Sequence, residues 1–349
     1  MSGVSVRNSD DVAGDGRVQQ GATRAVLRKS ATNSSLMAGI LVIALVLTGI
    51  LAVDGFGSGT NLRTMLVFGA FLGIVCIGQT LCALLGELDL SIPFVVGAAN
   101  IVMLWLLGQG LSSWFSVLIV VALALVMGMI TGLVSYFQPG RSLILSLGMG
   151  FAVLGGAQIV VGIGADQAGT VYGRVPGWLT DAGSANGSFL GTGIGLTVWL
   201  WAALSVVVIL VLRRTWPGRG LYAMGGNRTA ADRALVPQLG IWLGTFALSA
   251  AMASVVGILL LGFSGGAFAD VGRPYLFTTV AAVVVGGTSL LGGRGGYGAT
   301  VLGVAVMTLL GTVLVGLGLS AAAQQAVLGL LIVPMVALYG RQPHPRTQI

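Results

Sequence analysis

Charge is scarce in this chain. Only 8% of its 349 residues are charged and 56% are hydrophobic, with a mean hydropathy of +0.98. Soluble domains carry about 25% charged residues, so this composition excludes a soluble globular protein. Stretches such as LMAGILVIALVLTGILAV and FSVLIVVALALVMGMITGLV are continuously apolar, whereas the strands of membrane barrels alternate apolar and polar residues. The sequence therefore predicts an all-α polytopic membrane protein embedded in the lipid bilayer.

Residues that perform chemistry are also scarce, since the chain has one histidine and two cysteines. His344 has no partner with which to build a metal or nucleophilic site. Cys76 and Cys82 lie in one apolar stretch at a spacing that places them on different faces of a helix. We therefore expect no catalytic residue, no metal site and no bound cofactor. The net charge of +7 does not indicate a nucleic-acid partner, because basic residues ordinarily flank the cytoplasmic ends of membrane helices.

Glycine is abundant instead, with 57 residues, and it dominates GGTSLLGGRGGYG at 286–298. A phosphate-binding loop of this spacing needs Lys followed by Ser or Thr, and the only lysine in the chain is Lys29. We interpret the run, called the glycine turn below (residues 286–296), as close helix contact followed by a sharp turn, with an arginine anchor on the inner side. Its defining residues are Gly286, Gly287, Gly292, Gly293, Arg294 and Gly295.

Ten apolar segments are candidate membrane helices. They lie near 36–53, 65–85, 92–109, 115–137, 143–164, 194–212, 240–262, 276–291, 297–317 and 322–340. Residues 1–35 are predicted to be a polar, disordered cytoplasmic tail, 36–340 the transmembrane domain, and 341–349 a second cytoplasmic tail. With both termini inside, the inner loops and tails hold fourteen of the seventeen Arg and Lys residues. The outer loops hold only Arg63, Arg174 and Arg273, in agreement with the positive-inside rule.

The predicted helices contain almost no ionisable residues. This argues against coupling to protons or sodium and favours a passive conduit whose energy comes from elsewhere. Glu87 and Asp89 in GELDLS, between the second and third spans, are the exception. Two interpretations of this segment stay open: a short cytoplasmic turn in which Asp89 caps the third helix, or a helix break at membrane depth that lines the path.

The basic inner loop at 213–239 is a second candidate site. Gly225, Gly226 and Asn227, before TAADRAL, predict a turn and an N-cap, and Pro237 closes a helix of two to three turns. So short a helix is marginal in water, so it either lies on the bilayer surface or docks a cytoplasmic partner. The residues assigned to this element are Gly226, Asn227, Ala230, Ala231 and Arg233.

Polar side chains within the spans suit an uncharged, hydroxyl-rich solute better than an ion, although an interhelical hydrogen bond is the alternative for any single one. The residues predicted to line a path are Gln79, Asp89, Ser91, Asn100, Ser146, Phe277, Thr278 and Gln324. A self-sufficient channel or secondary carrier is the alternative of another class, and the lack of carboxylates inside the spans argues against it.

Five segments, in order between about residues 65 and 340, resemble the membrane permease subunit of ribose-type (monosaccharide) ABC importers. They are IGQTLCALLGELDLSIPFVVGAAN, LILSLGMGFAVLGGAQIVV, GRGLYAMGGNRTAADRA, VAAVVVGGTSLLGGRGGYGATVLG and AAAQQAVLGLLIVPMVAL. None is specific alone, but together they are. The resemblance implies the type II importer architecture, in which two halves have opposite orientation, and spans two to five and seven to ten do begin on opposite sides here.

The resemblance also implies partners. They would be a cytoplasmic ABC ATPase bound at Gly226 to Arg233, an extracytoplasmic solute-binding protein near the loops at 165–193 and 263–275, and a second permease chain, identical or homologous. The chain would then be a non-catalytic subunit in a bacterial inner membrane, importing a small polar solute such as ribose, xylose or galactose.

This chain departs from the family pattern at positions that bear on the solute. Pro93 stands near the start of the third span, Arg273, Tyr275 and Phe277 replace an often acidic stretch, and Leu328 replaces a basic residue. A permease of a branched-chain amino-acid or nucleoside importer therefore stays open as the alternative.

Overall fold

The computed structural model describes residues 34–138, 140–162, 170–171, 173–320 and 322–330, which are mostly helical. The helices are α1 (Ser34–Ala52), α2 (Gly59–Leu85), α3 (Ile92–Gly108), α4 (Ser113–Tyr136), α5 (Ser142–Val161), α6 (Gly177–Gly183), α7 (Leu196–Arg214), α8 (Trp216–Gly226), α9 (Arg228–Arg233), α10 (Gln238–Ser264), α11 (Tyr275–Val285) and α12 (Tyr297–Gly316). Two strands, β1 (Thr170–Val171) and β2 (Ala267–Phe268), pair antiparallel, and a 3-10 turn at Ala269–Gly272 follows β2. Residues 322–330 are helical as well.

Within the described residues, six helices are long and apolar enough to cross a membrane: α2, α4, α5, α7, α10 and α12. α1 and α3 are shorter apolar helices. These eight helices correspond to eight of the ten predicted spans, and the largest boundary difference is at the start of α2, predicted at 65 and observed at Gly59. The predicted span at 322–340 is described only as far as residue 330. Residues 1–33 of the predicted tail at 1–35 and the whole tail at 341–349 lie outside the described residues, whereas Ser34 and Ser35 begin α1.

The predicted eighth span, 276–291, is wrong in length. α11 has 11 residues and ends at Val285, and the residues after it belong to the glycine turn. At 1.5 Å per residue α11 is about 16 Å long, too short to cross a hydrocarbon core of about 30 Å.

The centre of the bundle is formed by α2 and α10, the two longest helices at 27 residues each. They cross at Gly78, where an added β-carbon would lie 2.5 Å from the Cα atom of Ser249. α3 packs beside α10, and the amide nitrogen of Asn100 donates a hydrogen bond of 2.9 Å to the carbonyl oxygen of Gly257. α5 and α7 lie at the periphery, with most of their surface exposed in the single chain. The apolar faces of these outer helices are thus available to lipid or to another chain.

The bundle has two ends, which we name by the short helices that lie there. The α9 end holds the end of α2, the start of α5, the hairpin of α8 and α9, and the glycine turn. The α6 end holds the start of α2, the end of α10 and α6, whose Leu179 is fully buried against Gly262. α7 joins the two ends, and at 19 residues it is about 28 Å long.

Residues 265–274, called the re-entrant segment below, fold back into the bundle from the α6 end. The backbone amide of Phe268 donates a 2.9 Å hydrogen bond to the side-chain oxygen of Asn100 on α3. The same residue pairs with Thr170, so β1, from the predicted loop at 165–193, reaches into the bundle and joins β2. The two stretches predicted as separate loops are therefore joined by backbone hydrogen bonds.

The glycines of α3 and of the 3-10 turn show how deep the re-entrant segment goes. A β-carbon on Gly97 would overlap the carbonyl oxygen of Ala269, and one on Gly272 would overlap that of Pro93. Between Ala269 and Gly272 the chain thus descends along α3 to its first turn, about 22 Å below the α6 end of that helix at Gly108. α11 begins at this depth, which explains why it is short.

Candidate coupling site and solute path

Three backbone segments meet at the α9 end: the end of α2, the end of α8 and the glycine turn. The backbone amide of Gly293 donates a 2.9 Å hydrogen bond to the carbonyl oxygen of Leu84. Gly225 on α8 lies against the same carbonyl oxygen, which an added β-carbon would overlap. Gly292 and Gly293 have φ of +88° and +68°, the left-handed region that glycine adopts without strain. This contact forms only because no side chain stands between the three segments.

Tyr222 on α8 fastens the other side of the glycine turn. Its hydroxyl donates a 2.9 Å hydrogen bond to the carbonyl oxygen of Gly295. Burial raises the pKa of this hydroxyl, and Arg213 acts in the opposite direction. Within the turn, the backbone amide of Gly296 donates to the hydroxyl of Thr288 at 3.1 Å. α8 and the glycine turn are thus held together at both edges of their contact.

The inner helix begins where it was predicted. Asn227 is the N-cap of α9, and its side-chain oxygen accepts a 3.0 Å hydrogen bond from the amide of Ala230. The helix is shorter than predicted, since it ends at Arg233. The turn predicted at Gly225 and Gly226 is wrong, because these residues are the last two of α8, a helix that the sequence pattern did not indicate.

Arg228 anchors α9 to the membrane helices. Its guanidinium lies 4.5 Å from the ring centre of Tyr136 on α4 and 4.7 Å from that of Trp242 on α10. It also donates hydrogen bonds to the side-chain oxygen of Gln238 at 3.1 Å and to the carbonyl oxygen of Tyr136 at 3.3 Å. Gln238 in turn donates to the carbonyl oxygen of Arg228 at 3.0 Å. The position of α9 is therefore coupled to the ends of two long helices.

The face of α9 that points away from the bundle is accessible. Ala231 is buried, whereas Ala230 and Arg233 are exposed. Leu235, just after the helix, is 89% exposed and has a φ of +56°. Within the described residues only one other non-glycine residue has positive φ, and it is also an exposed leucine, Leu190 at the α6 end. A leucine in this conformation carries a steric cost of roughly 1–2 kcal/mol.

The GELDLS segment is a buried break between α2 and α3. Asp89 is 2% exposed. One of its carboxylate oxygens accepts the backbone amide of Ser91 at 2.9 Å and the other accepts the hydroxyl of Ser249 at 2.7 Å. The predicted cap is wrong in form, because Ser91 precedes α3 and no first-turn amide is bonded to Asp89. Ser249 is eleven residues into α10, about 16 Å from the start of that helix, so the break lies inside the bundle.

Glu87 ties the same break to α5. Its carboxylate accepts the backbone amide of Gly140 at 3.0 Å and the hydroxyl of Ser142. Ser146, one turn along α5, accepts the amide of Leu90 at 2.9 Å. Sequence reasoning placed Asp89, Ser91 and Ser146 in one path, and the structure does bring them together. It singled out Glu87 but did not assign it to the path, and it missed Ser142 and Ser249, whose partners lie too far along the chain for a local pattern to pair them.

The other predicted path residues have different surroundings. Gln79 is fully buried, and neither polar atom of its amide group has a hydrogen-bond partner among the described residues. Asn100 is buried and holds both α10 and the re-entrant segment. Thr278 donates to the carbonyl oxygen of Pro274, and Gln324 to that of Leu319. Phe277 is 60% exposed. Of the eight predicted residues, Phe277 is thus the one with the most accessible side chain.

A cavity of about 460 Å³ lies between α3, α4 and α5. Its lining consists of apolar residues such as Val102, Ile119 and Val153. A polar solute would lose its hydrogen bonds to water there without replacement. This cavity therefore does not suit a sugar, despite its size.

Comparison with known proteins identifies relatives over most of the chain. Residues 61–336 match the family described as the permease component of branched-chain amino acid transport systems. The probable ABC transporter permease protein YphD of Escherichia coli (strain K12) is 32% identical over 85% of this chain and 87% of its own length. The fructose import permease protein FruF of Bifidobacterium longum is 27% identical, covering 82% and 80%. The autoinducer 2 import system permease protein LsrD of Salmonella typhi is 26% identical, covering 68% and 70%.

Proposed function

The chain belongs to the family of permease components of branched-chain amino acid transport systems, and from that premise we propose that it is the membrane permease subunit of an ABC importer for a monosaccharide-like solute. In this assembly a separate cytoplasmic subunit hydrolyses ATP and this chain itself catalyses no reaction. The observation that supports the proposal best is the contact of Gly225, Leu84 and Gly293. It links α8, which leads directly into the accessible helix α9, to the end of the membrane helix α2 and to the glycine turn, as a subunit driven by a partner requires.

The distribution of charge supports a cytoplasmic location for the α9 end. Among the described residues, seven arginines lie at that end: Arg141, Arg213, Arg214, Arg219, Arg228, Arg233 and Arg294. Arg63 and Arg174 lie on the opposite side, and Arg273 belongs to the re-entrant segment, which enters the bundle from that side. Positive residues are retained on the cytoplasmic side of a membrane. With this orientation, we propose that both termini lie on the cytoplasmic side of a bacterial cytoplasmic membrane.

The ATPase is proposed to dock on α9 and the residues that flank it. Asn227 fixes the start of the helix and Arg228 holds it against α4 and α10, while Ala230 and Arg233 are exposed. Leu235 adds an exposed apolar side chain, and its strained backbone is maintained although packing against the described residues does not compensate for the strain. A partner pocket that receives this leucine would account for both features.

Two of the named relatives support a sugar-like solute, because one is named for fructose import and another for the import of autoinducer 2. The small number of charges at the centre of the bundle agrees with a neutral solute. The description of the family itself favours a second candidate, a branched-chain amino acid. Competition of labelled ribose uptake by unlabelled sugars, leucine and nucleosides distinguishes these candidates.

The remaining partners are proposed from the architecture. An extracytoplasmic binding protein would deliver the solute at the α6 end, near 173–193 and the re-entrant segment. A second permease chain, identical or homologous, would cover part of the exposed surface of α5. The path would then run along residues of α3, α5 and α11 at the interface of the two chains.

Docking of the ATPase is tested by replacing Leu235 with Glu. We expect Leu235→Glu to abolish co-purification of the co-expressed ATPase while membrane insertion stays intact. Leu190→Glu is the matched control, since Leu190 is also exposed and left-handed but lies at the other end. Equal ATPase recovery with both variants would refute docking at α9.

The energy source is tested in proteoliposomes. The chain alone should not accumulate labelled ribose, and addition of the ATPase, the binding protein and ATP should start uptake. Uptake by the chain alone that depends on a proton or sodium gradient would instead establish a secondary carrier.

A further inference from the structure

The re-entrant segment carries an exposed pair of opposite charges. The carboxylate of Asp270 and the guanidinium of Arg273 lie 4.0 Å apart, and their side chains are 71% and 70% exposed. Ala269, just before Asp270, contacts Gly97 of α3, and Gly272, just before Arg273, contacts Pro93 of α3. The pair is therefore about 16–22 Å below the α6 end of α3.

This depth conflicts with a lipid-facing position. A hydrocarbon core is about 30 Å thick, and a charged side chain at the centre of a membrane helix costs several kcal/mol. Irregular backbone at membrane depth is tolerated only where it is covered by protein or lines a water-filled cavity. The face that presents Asp270 and Arg273 therefore points to water or to protein, although other exposed surfaces at the same depth are apolar.

An aromatic ring extends this face. Phe277 follows Arg273 by four residues. Because Arg273 and Pro274 have right-handed helical φ and ψ and α11 begins at Tyr275, Phe277 lies one turn further on the same side. It is 60% exposed. The guanidinium has five N–H donors and the carboxylate about four acceptor sites. A single contact of 4.0 Å between two exposed groups leaves most of these sites for other partners.

We propose that Asp270, Arg273 and Phe277 form the solute-binding wall of a water-filled path, and that this wall takes a neutral polyhydroxylated solute. The hydroxyls of the solute exchange hydrogen bonds with the carboxylate and the guanidinium, and its apolar ring face lies against Phe277. This assignment rests on the proposed importer function. It differs from the buried break, where Glu87 and Asp89 already use their oxygens to hold serines and backbone amides.

Water access is tested by thiol labelling of the full chain in proteoliposomes. The two native cysteines are fully buried, so single replacements Asp270→Cys and Arg273→Cys can be read against the unsubstituted chain. Val126→Cys is the matched control, because Val126 is 51% exposed and lies about 20 Å from the α6 end of α4. We expect a charged, membrane-impermeant methanethiosulfonate to label positions 270 and 273 at least about tenfold faster than position 126.

Labelling at 270 and 273 as slow as at 126 would overturn the proposal, since the face would then be covered by lipid or by a second chain. Solute contact is tested by protection. Ribose, xylose, galactose and fructose are each added at millimolar concentration, and at least one should slow labelling of Arg273→Cys several-fold. Fast labelling that none of the sugars slows would refute the solute class assigned to this wall.

A transport measurement separates this inference from the proposed function. With ATPase and binding protein present, Phe277→Ala should raise the KM for the sugar several-fold with little change in kcat, and Phe277→Trp should restore it. If the unchanged chain shows ATP-driven uptake and Phe277→Ala has the same KM, the wall is refuted and the importer stands. If the unchanged chain shows no ATP-driven uptake with its partners, the importer itself is refuted.

Discussion

The break after α2 and the re-entrant segment after α10 enter the bundle from opposite ends and meet at the first turn of α3, where Gly272 contacts Pro93. Each follows a central helix of 27 residues, and each leads into a shorter helix, α3 or α11. The break buries its two carboxylates among serines from α5 and α10, whereas the re-entrant segment exposes its single carboxylate beside an arginine. Similar backbone arrangements thus serve different purposes: the break fixes neighbouring helices, and the re-entrant segment presents polar groups to the solute of the proposed path.

The largest effect is expected at the α9 end, where contact depends on the absence of side chains. Gly225→Ala places a β-carbon on the carbonyl oxygen of Leu84 and must displace α8. We expect ATP-driven uptake to fall at least about tenfold, because a displacement that costs about 1.4 kcal/mol already shifts an equilibrium tenfold. Gly240→Ala, in the first turn of α10 at the same end, is the control, since its β-carbon would meet no atom within 4 Å. Equal uptake by both variants would show that α8 need not touch α2.

Asp89 and Asp270 allow the difference between the break and the re-entrant segment to be tested by measuring stability. Asp89→Ala leaves the amide of Ser91 and the hydroxyl of Ser249 unpaired in the core, and each such group costs about 1–3 kcal/mol. Asp270→Ala removes one exposed pair, worth about 0–1 kcal/mol. Denaturant unfolding in detergent should therefore show a loss of several kcal/mol for the first and little change for the second. Similar losses for the two would contradict the distinction between a fixing and a presenting carboxylate.

Arg228→Lys is expected to have an intermediate effect at the α9 end. Lysine keeps the charge but loses the planar group that stacks on Tyr136 and Trp242 and bonds Gln238. Two such contacts are worth about 1–2 kcal/mol, so ATPase affinity, measured by titration in detergent, should fall several-fold. Arg233→Lys, on the exposed face, is the control for charge alone. A larger loss with Arg233→Lys would place the anchoring role on that residue instead.

The smallest effect concerns α2 itself. Gln79→Leu replaces a buried amide that has no partner among the described residues, and it should raise the free energy of unfolding by about 1 kcal/mol. Gln79→Asn is the control that keeps the polar group. A decrease with Gln79→Leu would show that the amide is hydrogen-bonded within the bundle.

The sequence predicted the long elements well because each is a continuous apolar run, and eight predicted spans correspond to helices. It predicted Asn227 as a cap because a cap is set by residues three positions apart. It did not predict that Asp89 bonds Ser249, because that contact joins residues 160 positions apart. The sequence does carry a local signal for the shortened α11. The glycines and the proline of GGAFADVGRP, just before this helix, indicate an interrupted membrane segment.

The pairing of β1 with β2 has a mechanical consequence. The first residue of α11 directly follows the re-entrant segment. The main-chain hydrogen bonds between β1 and β2 join that segment to the chain that precedes α6. At its last residue it continues into the glycine turn, which is held by Gly225 and Tyr222 of α8. Both ends of this three-turn helix are therefore held by other segments, and a displacement of the re-entrant segment or of α8 would move α11 as a unit.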